Sequence, residues 1–238
     1  MKTAGTDVSK NRRPDVPSDV KRKILISTLF CLLPALVGLF LYTRLPDAIA
    51  VHFDWKGTPD SWMSKPLAIF GMPGFMAAVN LFVLWMSVQD PKKQNIQGSV
   101  MTLMYFLIPI IGTVMMSALY MHALGIHVNM GMAAFALIGI IMIALGNVLP
   151  KAKQNYVFGV RTAWTMNDPE NWIMTNRFAG RCMVVAGFIV LALCWLDGEW
   201  TAYVMLGSLL GVSFLSIWYS WHWFKTHPDS DPESSDHE

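Results

Sequence analysis

The chain has 238 residues, 54% of them hydrophobic and only 14% charged, against about a quarter charged in an ordinary soluble domain. Its apolar residues lie in runs too long for one soluble core of this size to cover, which excludes an ordinary globular fold and makes lipid the solvent. Cys31, Cys182 and Cys194 fall in or beside those runs with no Cys-x-x-Cys spacing, so neither a disulfide framework nor a structural zinc site is expected.

The formal net charge of +2 hides an asymmetry. Lys2, Lys10, Arg12, Arg13, Lys21, Arg22 and Lys23 crowd the start, and Asp229, Asp231, Glu233, Asp236 and Glu238 crowd the end. Such polar stretches bury too little apolar surface to offset the entropy of ordering. Residues 1–23 therefore read as a disordered basic arm and residues 225–238 as a disordered acidic tail. A basic arm that leads into a span is an orientation signal rather than a nucleic-acid contact.

A hydrocarbon core about 30 Å thick takes about 20 apolar residues of helix. Residues 24–224 match that template six times, at 24–43, 66–88, 100–123, 131–149, 180–196 and 201–224. The pattern predicts an all-α integral membrane protein: a six-transmembrane-helix bundle with a short external hairpin-like loop and an internal amphipathic helix. Ala48-Ile49-Ala50 after the first span has the look of a signal-peptide cleavage site. The long apolar run and the intervening Arg44 and Pro46 favour an uncleaved anchor.

Pro34, Pro73 and Pro109 lie inside spans, where each removes a backbone hydrogen bond and is expected to kink its helix. Asn80 is the one strongly polar side chain in mid-span. Gly207 and Gly211 form a small-xxx-small pair, which suits close packing of another helix. The partner is expected within the chain, with a second copy as the alternative.

Lys and Arg in the short connections set the orientation. They are dense in the arm, at Lys92 and Lys93, and at Lys151, Lys153, Arg161, Arg177 and Arg181. The loop after span three has none, and the turn after span five has only Asp197 and Glu199. Both termini are therefore expected in the cytoplasm of a bacterial inner membrane, with segment 44–65 outside and segment 150–180 inside.

The external segment is too patterned for a spacer. Residues 51–54 suit a short strand, and Asp54-Trp55-Lys56-Gly57 has the composition of a turn ending in a left-handed glycine. His52 and Asp54 would then share a face. Together with Asp60 they suggest a metal site or a proton shuttle. The favoured reading is that they hydrogen-bond the hairpin while Trp55 and Trp62 anchor it among headgroups, with no metal and no cofactor.

In the internal segment, Asn167-Asp168-Pro169-Glu170 predicts a helix start with Asn167 as the cap. The helix runs through Trp172, Asn176 and Ala179 into span five. Arg177 and Arg181 share one of its faces, and Arg161 precedes it in a Gly-x-Arg-Thr turn. One reading is a docking platform for a partner or an anion. The favoured one seats an interfacial helix against acidic lipid.

These two segments carry a resemblance. Pro46, His52, Phe53, Asp54, Gly57, Asp60, Trp62 and Lys65 resemble the DUF1648 signature. Asn147, Pro150, Lys153, Asn155, Gly159, Arg161, Thr162, Trp164, Thr165, Trp172, Thr175, Arg177 and Gly180 resemble the SdpI signature. Ala163 and Asn176 stand where that pattern has Pro and His. The resemblance implies a multi-span bacterial membrane protein that gives immunity to a secreted toxic peptide, and it is associated with membrane capture of a cognate repressor.

The expected function is therefore that of a non-enzymatic binding protein, with lipid around it, a toxic peptide outside and a repressor inside. The alternative is a small-solute transporter or channel. The central portions of the six spans contain no Asp, Glu, Lys or Arg, where ion-coupled carriers usually keep one. No Gly-x-Ser-x-Gly or His-Glu-x-x-His motif supports an enzyme.

Overall fold

The computed structural model describes residues 17–54, 56–195 and 199–227. The first 16 residues, the tail from 228, Trp55 and Asp197 lie outside the described residues. Six helical segments are long and apolar enough to cross a membrane: Ser18–Phe40, Leu67–Gln89, Ser99–Ala123, Met130–Lys151, Pro169–Leu193 and Trp200–Thr226.

The first crossing is two helices, α1 (Ser18–Cys31) and α2 (Leu33–Phe40). Pro34 sits in the first turn of α2, where its missing N–H breaks the ladder and leaves Leu32 as a joint. Helix α1 begins at Ser18, so residues 18–23 extend the helix instead of belonging to the arm. Asp19 lies in its first turn, where the positive end of the helix dipole favours a negative charge.

A two-stranded antiparallel hairpin follows, β1 (Ala48–Phe53) and β2 (Pro59–Ser64). A π-helical turn at Leu67–Gly71 leads into α3 (Met72–Gln89), with Pro73 in its first turn. Helix α4 (Ser99–Ala123) carries Pro109 inside it. Helix α5 (Met130–Val148) is capped by Asn129, whose side chain accepts from Met132 N at 2.9 Å.

The short α6 (Ala163–Asn167) and the long α7 (Pro169–Leu193) meet at Asp168. The predicted cap is displaced by one residue. Pro169 in the first turn forces its predecessor into extended backbone, so Asp168 (φ −121, ψ 112) is the N-cap, and its carboxylate accepts from Glu170 N at 2.7 Å. Asn167 instead ends α6. Helix α7 runs unbroken through what the sequence divides into an internal helix and span five. Helix α8 (Glu199–Thr226) takes in the first two residues assigned to the tail.

Helices α5 and α7 cross antiparallel and in close contact. A Cβ on Gly146 would lie 2.6 Å from Gly180 O, and one on Gly180 would lie 2.6 Å from Gly146 O. Seven residues away on each helix, Gly139 and Gly187 repeat the arrangement at 3.0 and 2.7 Å. Small residues let the two backbones touch where lipid offers no hydrophobic drive between helices. Among the described residues no helix packs closely on Gly207 or Gly211, contrary to the favoured expectation of a partner within the chain, since a Cβ on either would meet nothing within 4 Å.

Asn80 is fully buried and ties α3 to α1. Its amide donates to Ser27 Oγ at 3.0 Å and to Thr28 Oγ1 at 3.2 Å, and Ser27 Oγ donates to Tyr105 O of α4 at 2.6 Å. Cys31 and Cys194 are buried, Cys182 is half-buried, and all three are free.

Candidate functional sites at the two ends of the bundle

The hairpin end is built on a glycine turn and a buried seam. Asp54 Oδ1 accepts from Lys56 N at 2.9 Å and Thr58 N at 2.7 Å, and Gly57 N donates to Asp54 O at 2.9 Å. Gly57 sits at φ +77, where a side chain would be strained. His52 does not pair with Asp54. Its Nδ1 lies 2.6 Å from Asp60 Oδ1 across the hairpin, because the ladder is irregular between Ala50 and Phe53 and sets His52 opposite Ser61. Both side chains of this pair are exposed.

Lys65 closes the base of the hairpin. Its backbone N donates to Asp47 O at 2.8 Å, and its ammonium reaches Asp47 Oδ1 at 3.1 Å and Tyr42 O at 3.3 Å, over the Tyr42 ring. Pro46 turns the chain from α2 into β1, and Trp62 is exposed on β2. Leu45 and Ile49 are buried against Ile69, Leu119 and Met130, and Phe53 meets the His122 ring edge-on at 4.9 Å. Beside His52 and Asp54 a cavity of about 360 Å³ is bordered by Met115, Met130 and Met205.

At the other end a folded loop packs over the first half of α7, the helix that the sequence places at the interface. Trp172 is 1% exposed and its Nε1 donates to Ala152 O at 2.7 Å, so it is a core residue and not a headgroup anchor. Asn176 is equally buried. Its Oδ1 accepts from Val160 N at 2.8 Å and its Nδ2 donates to Trp172 O at 2.8 Å. Gly159 (φ +132) lies against the Trp172 ring, where a Cβ would be 2.7 Å from two ring carbons.

Asn155 folds the loop on itself. Its Oδ1 accepts from Val157 N and Phe158 N at 2.8 and 2.7 Å, and its Nδ2 donates to Lys153 O and Phe158 O. Thr162 and Thr165 form a reciprocal capping box on α6. Thr162 Oγ1 also meets Ser220 Oγ of α8 at 2.7 Å, and Trp164 packs near Phe224. Arg161 is exposed and donates from its guanidinium to Tyr156 O. Arg177 and Arg181 are exposed on α7.

Several residues that hold this loop escaped sequence reasoning. Asp90, at the end of α3, accepts from Lys92 N at 2.6 Å and Tyr156 N at 2.7 Å. Lys92 donates to Gln154 Oε1, and Gln154 Nε2 donates to Thr165 O and Met166 O at 2.9 and 2.7 Å. Asn171 Nδ2 donates to Ser220 O at 3.0 Å. The α3–α4 connection therefore clamps the loop from one side and α8 from the other. The only available sequence signal was the run of amide and carboxylate residues, which does not specify partners about 60 positions apart.

The segments singled out by resemblance thus form two separate structures at opposite ends of the bundle. The model of the domain of unknown function DUF1648 matches residues 29–77, and that of the SdpI/YfhL protein family matches residues 151–220. Immunity protein SdpI of Bacillus subtilis (strain 168) is 31% identical over 210 residues, which are 86% of this chain and 97% of that protein. The chain belongs to the SdpI family. No solved structure matches it. As a family member with six apolar crossings, it is a multi-pass membrane protein of an immunity-protein family. The DUF1648 match covers α2, the hairpin and the entry to α3, and the SdpI match covers the folded loop, α7 and most of α8.

Proposed function

We infer that the protein is an immunity protein that acts against a secreted toxic peptide, with the hairpin end outside the inner membrane and the loop end and both termini in the cytoplasm. The observation that carries this reading is the likeness to Immunity protein SdpI across 97% of that protein. Composition supports it, because five of the six crossings hold no charged residue in their central portions to couple an ion to transport, the exception being Arg181 of α7. The orientation rests on Lys and Arg, which are concentrated at the loop end.

In this reading the hairpin, held by Asp54, Gly57 and Lys65, presents its exposed face and its methionine-bordered cavity to the peptide. Methionine side chains adapt to apolar surfaces of varied shape. Arg177 and Arg181, exposed on α7 beside the folded loop, face the cytoplasm, where they meet a cognate repressor and hold it at the membrane. The function is binding and not catalysis.

The deciding experiment expresses the chain in a host sensitive to the cognate peptide and measures survival together with membrane levels of the protein. Protection that is lost on hairpin substitution at normal protein levels supports the reading. Normal expression with no protection sinks it. Repressor capture is a separate arm, measured as repressor recovered with the membrane fraction. Loss on Arg177→Glu with intact protection would place signalling at the loop.

A further inference from the structure

A cavity of about 400 Å³ lies between α5, α7 and α8 beneath the folded loop. Its walls include Met142 of α5, Leu149 just past the end of α5, Met183 of α7, and Leu209, Val212 and Ile217 of α8. The lining positions on α8 extend from 209 to 217, about 12 Å of helix at the usual rise. The cavity is thus a slot along the bundle, with the proportions of a chain and not of a compact solute.

Polar groups lie mainly toward one end of this slot. The hydroxyls of Ser213 and Ser216 donate to Leu209 O and Val212 O of their own helix at 2.8 and 2.6 Å, so they leave an apolar wall. At the loop end stand Arg161 and Thr162, and Thr162 is engaged with Ser220. Arg161 remains as the cation at the mouth. Its bond to Tyr156 O uses one of five guanidinium donors, and among the described residues no carboxylate lies within ion-pair distance of it.

We propose that this slot binds an anionic phospholipid, with one acyl chain between α5, α7 and α8 and the phosphate on the Arg161 guanidinium. A planar guanidinium presents paired donors to phosphate oxygens. An apolar slot that ends at a cation matches a molecule that is apolar along its length and anionic at one end. Neither a neutral lipid nor a soluble anion satisfies both parts. The bound lipid would brace the loop through the same residue that holds Tyr156 O. The proposal is independent of whether the protein confers immunity.

The test uses the full chain in mild detergent, equilibrated with equal amounts of phosphatidylglycerol and phosphatidylethanolamine and read by native mass spectrometry. The wild type is expected to retain one phospholipid and to prefer phosphatidylglycerol by about fivefold, the scale of one cation at a membrane surface. Arg161→Gln should retain lipid but lose the preference, and Arg177→Gln, outside the slot, should keep it. Val212→Trp, which fills the slot, should lose the lipid. If that variant does not fold, Met183→Phe is the smaller filling and should lower retention.

A preference that persists in Arg161→Gln overturns the proposal. So does equal lipid retention in a folded slot-filling variant. A wild type that carries no phospholipid, or one whose slot is covered by a second copy so that Val212→Trp converts dimer to monomer, overturns it as well.

Discussion

Gly146 of α5 and Gly180 of α7 face each other so closely that a methyl group on either would come within 2.6 Å of the other's carbonyl oxygen. Overpacking of this kind costs about 1–3 kcal/mol where the backbone must shift. Gly146→Ala and Gly180→Ala should each lower the unfolding midpoint in a mixed-detergent titration. Gly207→Ala meets nothing within 4 Å and should stay within about 0.5 kcal/mol of the parent. Equal effects at all three positions would contradict the crossing.

Trp172 and Gly159 make a second sharp test, at the loop. Trp172→Phe keeps a ring but strands the buried Ala152 carbonyl, at a cost of about 1–3 kcal/mol. Gly159→Ala adds a strained φ of +132 to a clash with the same ring. Both variants should open the segment around Asn155 to limited proteolysis while the helical circular dichroism is retained. Unchanged protease resistance would show that the loop does not depend on this contact.

At the hairpin, the acidic residues should separate by role. Asp54→Ala frees two backbone N–H groups of the turn and should cost about 1 kcal/mol. Asp60→Ala breaks only the exposed pair with His52 and should cost a few tenths of that. His52→Ala should leave metal content unchanged, and stoichiometric metal lost in that variant would refute the hairpin-shaping role. Unfolding midpoints of the three variants, with elemental analysis, decide the matter.

Sidedness can be read directly. A cysteine at exposed Ile126 should react in intact cells with a membrane-impermeant maleimide, in a Cys182→Ser background. One at exposed Lys153 should react only after the membrane is opened. Reaction at Lys153 in intact cells would invert the bundle.

Six crossings, the break at Pro34, the turn at Gly57 and the helix start before Pro169 were legible in the sequence, because each depends on hydropathy over one span or on backbone chemistry within a few residues. The same locality limited the reading. His52 was matched to Asp54 by strand periodicity, and only the irregular ladder turned it to Asp60. Gly207-x-x-x-Gly211 had the familiar close-packing spacing, yet the backbones meet at Gly139 with Gly187 and at Gly146 with Gly180, since a packing motif does not specify its partner. Trp172 looked interfacial because Arg177 and Arg181 share its helix, but the loop folds over it and buries it. Asp90, Gln154 and Ser220 acquired their roles only in three dimensions. Hydrogen bonds between residues some 50–70 positions apart form when antiparallel helices bring connections to the same end of the bundle, and no local propensity encodes them.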